Sequence, residues 1–285
     1  MSRARIFAVL VLYKRSLEES ETFSTLRSLL QKRTDLAGAM SLLLYDNSPV
    51  AQEVPALPIP TQYISNSSNP GLAAAYSAGL QLAGEEAADW LLLLDQDTLL
   101  TETYLTEVVS SIQLAGDDQF DAIVPKLVED GTVQSPHLTI TFRCPKPVDI
   151  TAHGISTVLL HPYNSGAVLR VKALQEMKGF PEGFSLDYLD HATFRRLQSL
   201  GGKIFVMQAI LQHKLSTNRA DVSDDPVLLA RQRSVLQAEQ AFYRDFGTPR
   251  ERFYYHVRLV WKAWKEMRAG RFRTSMMFLK TSVIP

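Results

Sequence analysis

Short apolar runs separated by longer amphipathic stretches dominate the first half of the chain. Runs of this length, apolar throughout, are typical of strands that are buried on both faces. We predict such strands at residues 6–12, 41–45, 62–64, 90–94 and 122–125. Helices are predicted between them: one opened by a capping-box pattern at Ser16 and Glu19, one over 71–82 and one over 101–114. This alternation predicts an α/β fold with a mostly parallel central sheet covered on both faces.

The pattern changes in the second half. Residues 129–162 contain several prolines and three histidines and show no clear period. A strand is predicted over 163–171, then a loop that leads into a helix over 191–200, and a last strand over 203–207. From Pro226 the chain reads as helical almost to its end. We therefore expect an α/β domain over 1–225 and a helical C-terminal extension over 226–285.

Composition narrows the class of protein. The 285 residues include 30 basic and 30 acidic side chains, so the formal net charge is zero, which argues against a general nucleic-acid binder. Cys144 is the only cysteine, so an intrachain disulfide is excluded and an oxidising compartment is not indicated. The apolar run at 6–12 has no cleavage site after it and reads better as a strand than as a signal peptide. No run approaches the length of a membrane span, so we expect a cytoplasmic protein.

Polar side chains follow three of the predicted strands. The fourth strand ends in LLLLDQDT, which places Asp95 and Asp97 one residue apart; Tyr13 follows the first strand and Asp46 the second. Ligands of open α/β sheets bind beyond the carboxyl ends of strands. Two adjacent carboxylates repel each other unless a cation such as Mg²⁺ or Mn²⁺ neutralises them. The alternative is that each of these aspartates only caps a turn or a helix.

Six segments, taken in order over roughly the first 215 residues, resemble family 2 glycosyltransferases with the GT-A fold, and most closely their rhamnosyltransferase-like branch. They are AVLVLYKR, LLLYDNSP, SNPGLAAAYSAGL, LLLLDQDT, YNSGAVLRVKALQEMKGFPEGFSLDYLD and LQHKL. The resemblance implies transfer of a sugar from a nucleoside-diphosphate donor to an acceptor hydroxyl, with inversion and with help from Mg²⁺ or Mn²⁺. It also implies that the central sheet belongs to a nucleotide-sugar binding domain.

The same resemblance favours one donor and one kind of acceptor. The DQDT form is similar to the rhamnosyltransferase branch, which makes dTDP-L-rhamnose the expected donor; UDP-hexoses and galactofuranose are alternatives. The expected acceptor is a glycan or a polyprenyl-linked saccharide of surface polysaccharide synthesis, of the O-antigen or capsule type. A sugar nucleotidyltransferase would need a glycine-rich loop after the first strand, and VLYKRSLEES has no glycine. A catalytically inactive nucleotide-binding scaffold is the rival from another class.

The resemblance also assigns roles in the reaction. Asp97 would hold the metal, Asp95 would contact the ribose or the metal's water shell, and His213 would complete the metal site or bind the diphosphate. Asp190 would be the general base, with Asp187 as the second choice. The alternative for Asp190 is an N-cap of the helix over 191–200, because aspartate caps helices well.

Five further residues are expected around the donor. By resemblance, Asp46 would bind the nucleobase and Tyr13 would line the same pocket. Asn69 and Gly71 would shape the loop before the small-residue helix, and Gly166 would lie where the acceptor-side strand passes the donor sugar. Each has a structural alternative, such as a turn aspartate for Asp46 and close backbone approach for Gly166.

The C-terminal segment has a charge of its own. Residues 250–285 carry nine basic and two acidic side chains, nine minus two or +7, interleaved with Trp261 and Trp264. A basic helix with tryptophans can lie in a membrane interface, which would place the protein at the cytoplasmic face of the cell membrane. The alternative is a helical bundle that packs on the catalytic domain or on a second subunit of an oligomer.

Overall fold

The computed structural model describes residues 4–116, 119–138, 146–213 and 225–283. Within them the chain forms an α/β fold around one ten-stranded sheet and a separate two-stranded ribbon. The strands are β1 (Ile6–Leu12), β2 (Met40–Asp46), β3 (Thr61–Ser65), β4 (Trp90–Leu94), β5 (Thr98–Leu99), β6 (Ala122–Glu129), β7 (Thr132–Ser135), β8 (His137–Leu138), β9 (Gly154–Ile155), β10 (Leu160–His161), β11 (Ala167–Arg170) and β12 (Ile204–His213).

Nine helices lie in the same described ranges. Three of them follow one another at the C-terminal end, as the helical pattern from Pro226 predicted. The helices are α1 (Glu21–Lys32), α2 (Thr34–Ala37), α3 (Leu72–Glu85), α4 (Glu102–Ala115), α5 (Val171–Glu176), α6 (Leu189–Ser199), α7 (Pro226–Phe246), α8 (Pro249–Arg268) and α9 (Phe272–Val283). None of these helices is long and apolar enough to cross a membrane.

The strand order of the main sheet is β3-β2-β1-β4-β11-β6-β12-β5, with β7 and β9 paired at its side. Pairing is parallel from β3 through β4 and between β6 and β12, while β11 is antiparallel to both of its neighbours. The prediction of a mostly parallel sheet is confirmed. The chain leaves β1 on one side for β2 and returns on the other side for β4, so β1 and β4 flank a topological switch point.

Both faces of the sheet are buried. Along β1, Phe7 and Val9 belong to one hydrophobic cluster, and Ala8 and Leu10 belong to another on the opposite face. This two-residue alternation within an apolar strand is the pattern expected of a sheet covered on both sides. Helix α3 lies very close to β1, because a Cβ added at Gly79 would come within 2.1 Å of Val9 Cγ2.

Some predicted boundaries are wrong. The Ser16 and Glu19 pattern does make capping-box hydrogen bonds, but they close an isolated turn. Helix α1 begins later, at Glu21, with Ser20 as its N-cap. The strand predicted over 163–171 is confined to Ala167–Arg170, and Val171 opens helix α5 instead.

The C-terminal helices pack onto the α/β part. Leu229 and Phe242 of α7 and Leu259 of α8 belong to the same hydrophobic cluster as Val9 of β1 and Leu189 of α6. The division into two domains at residues 225 and 226 stays a prediction, since the two parts share this core.

Candidate active site

The two carboxylates after β4 lie at the switch point of the sheet. In the sheet register Leu10 of β1 pairs with Leu94, so Asp95 and Asp97 follow the strand at the same edge at which β1 ends. Asp95 is partly buried and accepts a 2.5 Å hydrogen bond at Oδ1 from the Thr98 hydroxyl and another at Oδ2 from the Ser165 hydroxyl. Asp97 is buried, with 8% of its surface exposed. Both aspartates therefore lie where a ligand of such a sheet is expected.

The loop after β1 is held against the segment that contains Asp95 and Asp97. The Tyr13 backbone N–H donates a 2.8 Å hydrogen bond to the Gln96 side chain, between the two aspartates. Lys14 has a left-handed backbone with φ +51°, and its N–H donates to the Ser48 hydroxyl. The Tyr13 side chain itself is 40% exposed. Tyr13 thus borders the edge of the sheet as predicted, while its contact with a nucleotide stays a prediction.

Asp46 ends β2 and is fully buried. Its Oδ1 accepts the Ser48 N–H and its Oδ2 accepts hydrogen bonds from the Gln52 amide and the Tyr63 hydroxyl, each at 2.9 Å. Burial alone would raise the pKa of this carboxyl, but the hydrogen bonds from Ser48, Tyr63 and Gln52 outweigh it and lower the pKa. The structure therefore shows the turn role of Asp46, and a nucleobase contact stays a prediction.

Asn69 and Gly71 shape the entry to helix α3. Asn69 has φ +48°, and Gly71 has φ +93°. A Cβ at Gly71 would come within 2.5 Å of the Ser185 carbonyl oxygen, which also accepts the Ala73 N–H at 3.1 Å. The Asn47 amide donates to the Gly71 carbonyl at 3.4 Å. These contacts join the loop after β2, the start of α3 and the loop before α6, so they position the site whether or not Asn69 and Gly71 touch a donor.

Close packing around residue 166 explains why a glycine stands there. Its φ is +71°, and an added Cβ would come within 2.9 Å of the Leu211 side chain. Its carbonyl accepts a 2.6 Å hydrogen bond from the Tyr104 hydroxyl. Its N–H donates to the Leu93 carbonyl in β4. This tight corner places the preceding Ser165 against Asp95, and contact of Gly166 with the donor sugar stays a prediction.

The two candidate bases differ in their surroundings. Asp187 pairs with Arg231 of α7, which donates from both terminal nitrogens and reaches Oδ1 at 2.6 Å. Asp190 is partly buried in the first turn of α6 and accepts the N–H of His191. The structural alternative for Asp190, an N-cap of this helix, is wrong. Tyr188 holds the N-cap position, with a left-handed φ of +60°.

The charges of three carboxylates act on one buried tyrosine. Tyr76 of α3 is 1% exposed. Burial raises the pKa of its hydroxyl well above the ordinary value, and the negative charges of Asp95, Asp190 and Asp97 raise it further. Asp190 therefore shares an electrostatic neighbourhood with the two aspartates after β4, although the three come from segments far apart in the sequence.

A cluster of rings around His191, the residue after Asp190, includes the buried His161 and was not predicted as a unit. The ring of His161 lies 5.5 Å from that of His191 and 6.0 Å from that of Phe242, centroid to centroid. Both ring nitrogens of His161 are buried, and neither has a hydrogen-bond partner among the described residues. Burial, with the nearby charges of His191, Arg195 and His137, lowers the pKa of His161 to about 3. The only sequence signal was the clustering of histidines in the irregular segment 129–162.

The donor set suits a divalent cation that also binds phosphate. Asp95 and Asp97 supply carboxylate oxygens, and magnesium sites commonly use one or two carboxylates plus substrate phosphates. Within the described ranges, no group of three His, Cys, Asp or Glu side chains is placed to hold a metal by itself. The backbone of His213 pairs with Thr98 at the same edge, but its side chain lies outside the described residues.

Comparisons with known proteins agree with this geometry. The profile described as glycosyl transferase family 2 matches residues 9–178, more than half of the chain. A crystal structure of residues 1–349 of S. aureus TarS superposes with a TM-score of 0.54 at 13% identity, covering 95% of this chain and 89% of that one. No curated protein matches the chain.

The chain belongs to glycosyl transferase family 2 and has the GT-A fold. It is a glycosyltransferase that takes a nucleotide-sugar donor and a saccharide acceptor. The predicted family and fold are thereby confirmed, whereas the rhamnosyltransferase branch and the metal belong to the proposal below.

Proposed function

We propose that the protein is an inverting, metal-dependent rhamnosyltransferase that transfers L-rhamnose from dTDP-L-rhamnose to a hydroxyl of a growing surface polysaccharide. The observation that carries the proposal is the position of Asp95 and Asp97 directly after β4 at the switch point of the sheet, where the Thr98 and Ser165 hydroxyls hold Asp95. Such a crevice is where this class of sheet binds its ligand. Asp95 and Asp97 would serve a cation, and Asp190 a proton transfer.

Asp95 and Asp97 would hold the cation, with His213 as the further ligand named by the sequence. A divalent cation at this place supplies Lewis-acid stabilisation to a departing diphosphate. The Thr98 and Ser165 hydroxyls fix both oxygens of Asp95. A carboxylate held in this way loses little conformational freedom when it binds a ligand.

Asp190 would act as the general base. The acceptor oxygen forms a bond to the anomeric carbon on the face opposite the diphosphate, and its proton passes to a carboxylate oxygen of Asp190. The bond from the anomeric carbon to the diphosphate oxygen breaks, and that oxygen leaves with the electron pair. Attack on the opposite face inverts the anomeric configuration. Asp187 is less suited to this role because Arg231 already occupies its oxygens.

The donor assignment rests on the DQDT form of the motif and is tested against its alternatives. Isothermal calorimetry should measure dTDP-L-rhamnose, UDP-galactose and UDP-N-acetylglucosamine, each with Mn²⁺ and then with EDTA. We expect binding of dTDP-L-rhamnose with Mn²⁺ and its loss with EDTA. Asp97→Ala should abolish the binding, while Asp245→Ala, which removes an exposed carboxylate paired with Arg244, should leave it unchanged.

Three results would contradict parts of the proposal. Binding of a UDP-sugar in place of dTDP-L-rhamnose would replace the donor and keep the chemistry. Equal binding with EDTA would remove the metal. If no donor binds under either condition, the inactive-scaffold alternative is favoured.

A further inference from the structure

Helix α8 exposes large apolar side chains along one face. Val260, Trp261, Trp264 and Met267 are between 48% and 54% exposed, and Phe253, two turns earlier, is 64% exposed. Positions 253, 260, 264 and 267 recur at the spacing of one helical face. Exposed apolar side chains gathered on one face of a helix are a feature of interaction surfaces, whereas single exposed ones are ordinary.

The opposite face of α8 accounts for its packing. Tyr255, Leu259, Ala263 and Glu266 are buried there, at intervals of three or four residues. The stripe is therefore not needed to hold α8 on the protein. The next helix repeats the arrangement, because Phe272 and Met276 of α9 are 68% and 53% exposed.

Cations stack on the exposed aromatic rings of α8. The Lys265 ammonium lies 5.8 Å from the Trp261 ring, and the Arg268 guanidinium lies 4.8 Å from the Trp264 ring. Each pair is spaced i to i+4, which puts both members on the same side of the helix. The apolar stripe is thus flanked by positive charge at the level of its tryptophans.

The two acidic residues of 250–285 are turned toward the protein and not toward the exposed stripe. Glu266 is 4% exposed and pairs with Arg271. Glu251 accepts hydrogen bonds from Arg195 of α6 and from the Thr248 N–H at the start of its own helix. Residues 250–285 carry nine basic and two acidic side chains, and both acids are engaged within the fold. The outer surface of α8 and α9 is therefore cationic on a protein whose net charge is zero.

We propose that α8 and α9 dock on an anionic phospholipid bilayer, with Trp261 and Trp264 inserted at the level of the headgroups. Tryptophan suits this depth because its ring is apolar and its N–H is polar. Anionic headgroups attract Lys265 and Arg268, which flank the rings. The inference goes beyond the proposed transfer reaction, because the surface contains no residue of the donor site.

A groove beside α9 continues the same chemistry. It has a volume of about 780 Å³ and lies between α7 and α9. Leu229, Met276 and Met277 supply apolar lining, and Arg233 and Lys280 supply positive charge. Met276 and Lys280 of α9 line this groove. The apolar and cationic side chains of α9 therefore extend from its outer surface into the groove.

The test is vesicle cosedimentation of the full chain. Vesicles of phosphatidylcholine mixed with an equal part of phosphatidylglycerol should bind the protein, and vesicles of phosphatidylcholine alone should bind it far more weakly. Lys265→Gln with Arg268→Gln should weaken binding about twenty-five-fold, from about five-fold for each charge at the surface. Trp261→Ala with Trp264→Ala should weaken it at least about ten-fold.

Matched control variants distinguish binding through this surface from nonspecific binding to vesicles. Lys172→Gln with Lys203→Gln removes two exposed charges elsewhere, and Leu114→Ala with Leu200→Ala removes two exposed apolar side chains elsewhere. Neither pair should change vesicle binding. The tryptophan emission of the wild type should shift to shorter wavelength with anionic vesicles, because Trp90 is buried and the shift reports on Trp261 and Trp264.

Two outcomes would overturn the proposal. One is equal binding to both kinds of vesicle or to neither. The other is a dimer by light scattering that dissociates in the tryptophan variant and shows no emission shift with vesicles, which would assign the surface to a second copy of the chain. The assay contains no donor and no acceptor, so its failure is distinct from failure of the proposed transferase reaction.

Discussion

The edge of the sheet buries charged side chains, whereas the outer face of the C-terminal helices exposes large apolar ones. At the edge, the carboxylates of Asp46 and Asp97 are buried. On α8, Trp261 and Trp264 each expose about half of their surface. Buried charge and exposed large apolar surface are the two informative exceptions to the usual distribution of residues. We read the first as a site for a charged ligand and the second as a surface for a partner.

The two regions also differ in what the rest of the protein does for them. At the edge of the sheet, hydroxyls and amides from distant segments hold the carboxylates in place. The two tryptophans of the stripe on α8 are contacted by cations of their own helix. The inner face of the extension belongs with the first region, since Glu239 of α7 accepts a 2.6 Å hydrogen bond from Tyr188. The side of the extension that contacts the α/β part and the side that carries the exposed stripe are therefore different.

The largest effect is expected at Asp190. Asp190→Asn keeps the size of the side chain but removes its capacity to accept a proton, so turnover should fall about 10²–10⁴-fold. Donor binding measured by calorimetry should stay within about two-fold of the wild type, because a general base contributes to the chemical step and not to donor affinity.

Asp187→Asn is the matched control, two residues before α6. It removes the pairing with Arg231, so we expect a small loss of stability and a turnover within about ten-fold of the wild type. If Asp187→Asn lost turnover as severely as Asp190→Asn did, or if Asp190→Asn kept full turnover, the assignment of the base would be wrong.

The next effect tests whether the inner face of the extension supports the site. Glu239 is 5% exposed and accepts hydrogen bonds from Tyr188, at the left-handed start of α6, and from Arg258 of α8. Glu239→Gln leaves the partly buried Arg258 guanidinium without its countercharge and should lower the free energy of unfolding by about 3 kcal/mol. Urea denaturation measures this change.

The control for Glu239→Gln is Asp245→Asn, which disrupts an exposed pair with Arg244 on the same helix and should cost less than about 1 kcal/mol. Equal losses in the two variants would mean that burial of Glu239 contributes nothing special. The start of α6 and the extension would then be less tightly coupled than the hydrogen bond from Tyr188 to Glu239 indicates.

A pH dependence of stability should come from the buried histidines. Burial lowers the pKa of His161 to about 3 and that of His137 to about 4. The unfolded chain takes up protons near pH 6.5 and the folded chain does not, so the free energy of unfolding falls as pH drops below about 6.5. Asp46 adds nothing in this window, because its lowered pKa affects stability only near and below its ordinary value of 3.8.

His161→Phe isolates the contribution of one ring. The loss of unfolding free energy between pH 6.5 and pH 5 should be smaller in the variant by about 2 kcal/mol. Comparing the two pH values within each protein removes any constant packing cost of the substitution. An unchanged pH dependence would mean that His161 becomes protonated inside the folded protein.

The sequence predicted the parts of the fold that depend on local pattern. The apolar runs of β1, β2 and β4 were located correctly, because a strand buried on both faces needs an unbroken apolar run. The start of α1 was misplaced, since Ser16 and Ser20 both have the chemistry of an N-cap and only the tertiary packing selects between them. The two-residue strands escaped prediction, because β5 exists only through pairing with β12 more than a hundred residues later.

In the candidate site too, local motifs could be recognised in the sequence, whereas contacts between distant segments could not. The roles of Asp95, Asp97 and Asp190 were predicted from motifs and stay predictions. Their shared charge effect on Tyr76 could not be predicted, because an approach between distant segments leaves no local pattern. The Ser165 contact with Asp95 joins residues 70 positions apart. It was invisible for the same reason, although both residues lay in segments that the family resemblance had singled out.

The smallest effect concerns that contact. The Ser165 hydroxyl donates to Asp95 Oδ2, while Thr98 donates to Oδ1, so the carboxylate is oriented from both sides. Ser165→Ala removes one of these bonds. A hydrogen bond of this kind contributes about 1 kcal/mol, so metal-dependent donor binding should weaken about five-fold. Ser199→Ala, which removes an exposed hydroxyl on α6, should leave donor binding unchanged. Unchanged donor affinity in Ser165→Ala would mean that Thr98 alone orients Asp95, and the buried hydroxyls of the edge would then matter for packing more than for the ligand.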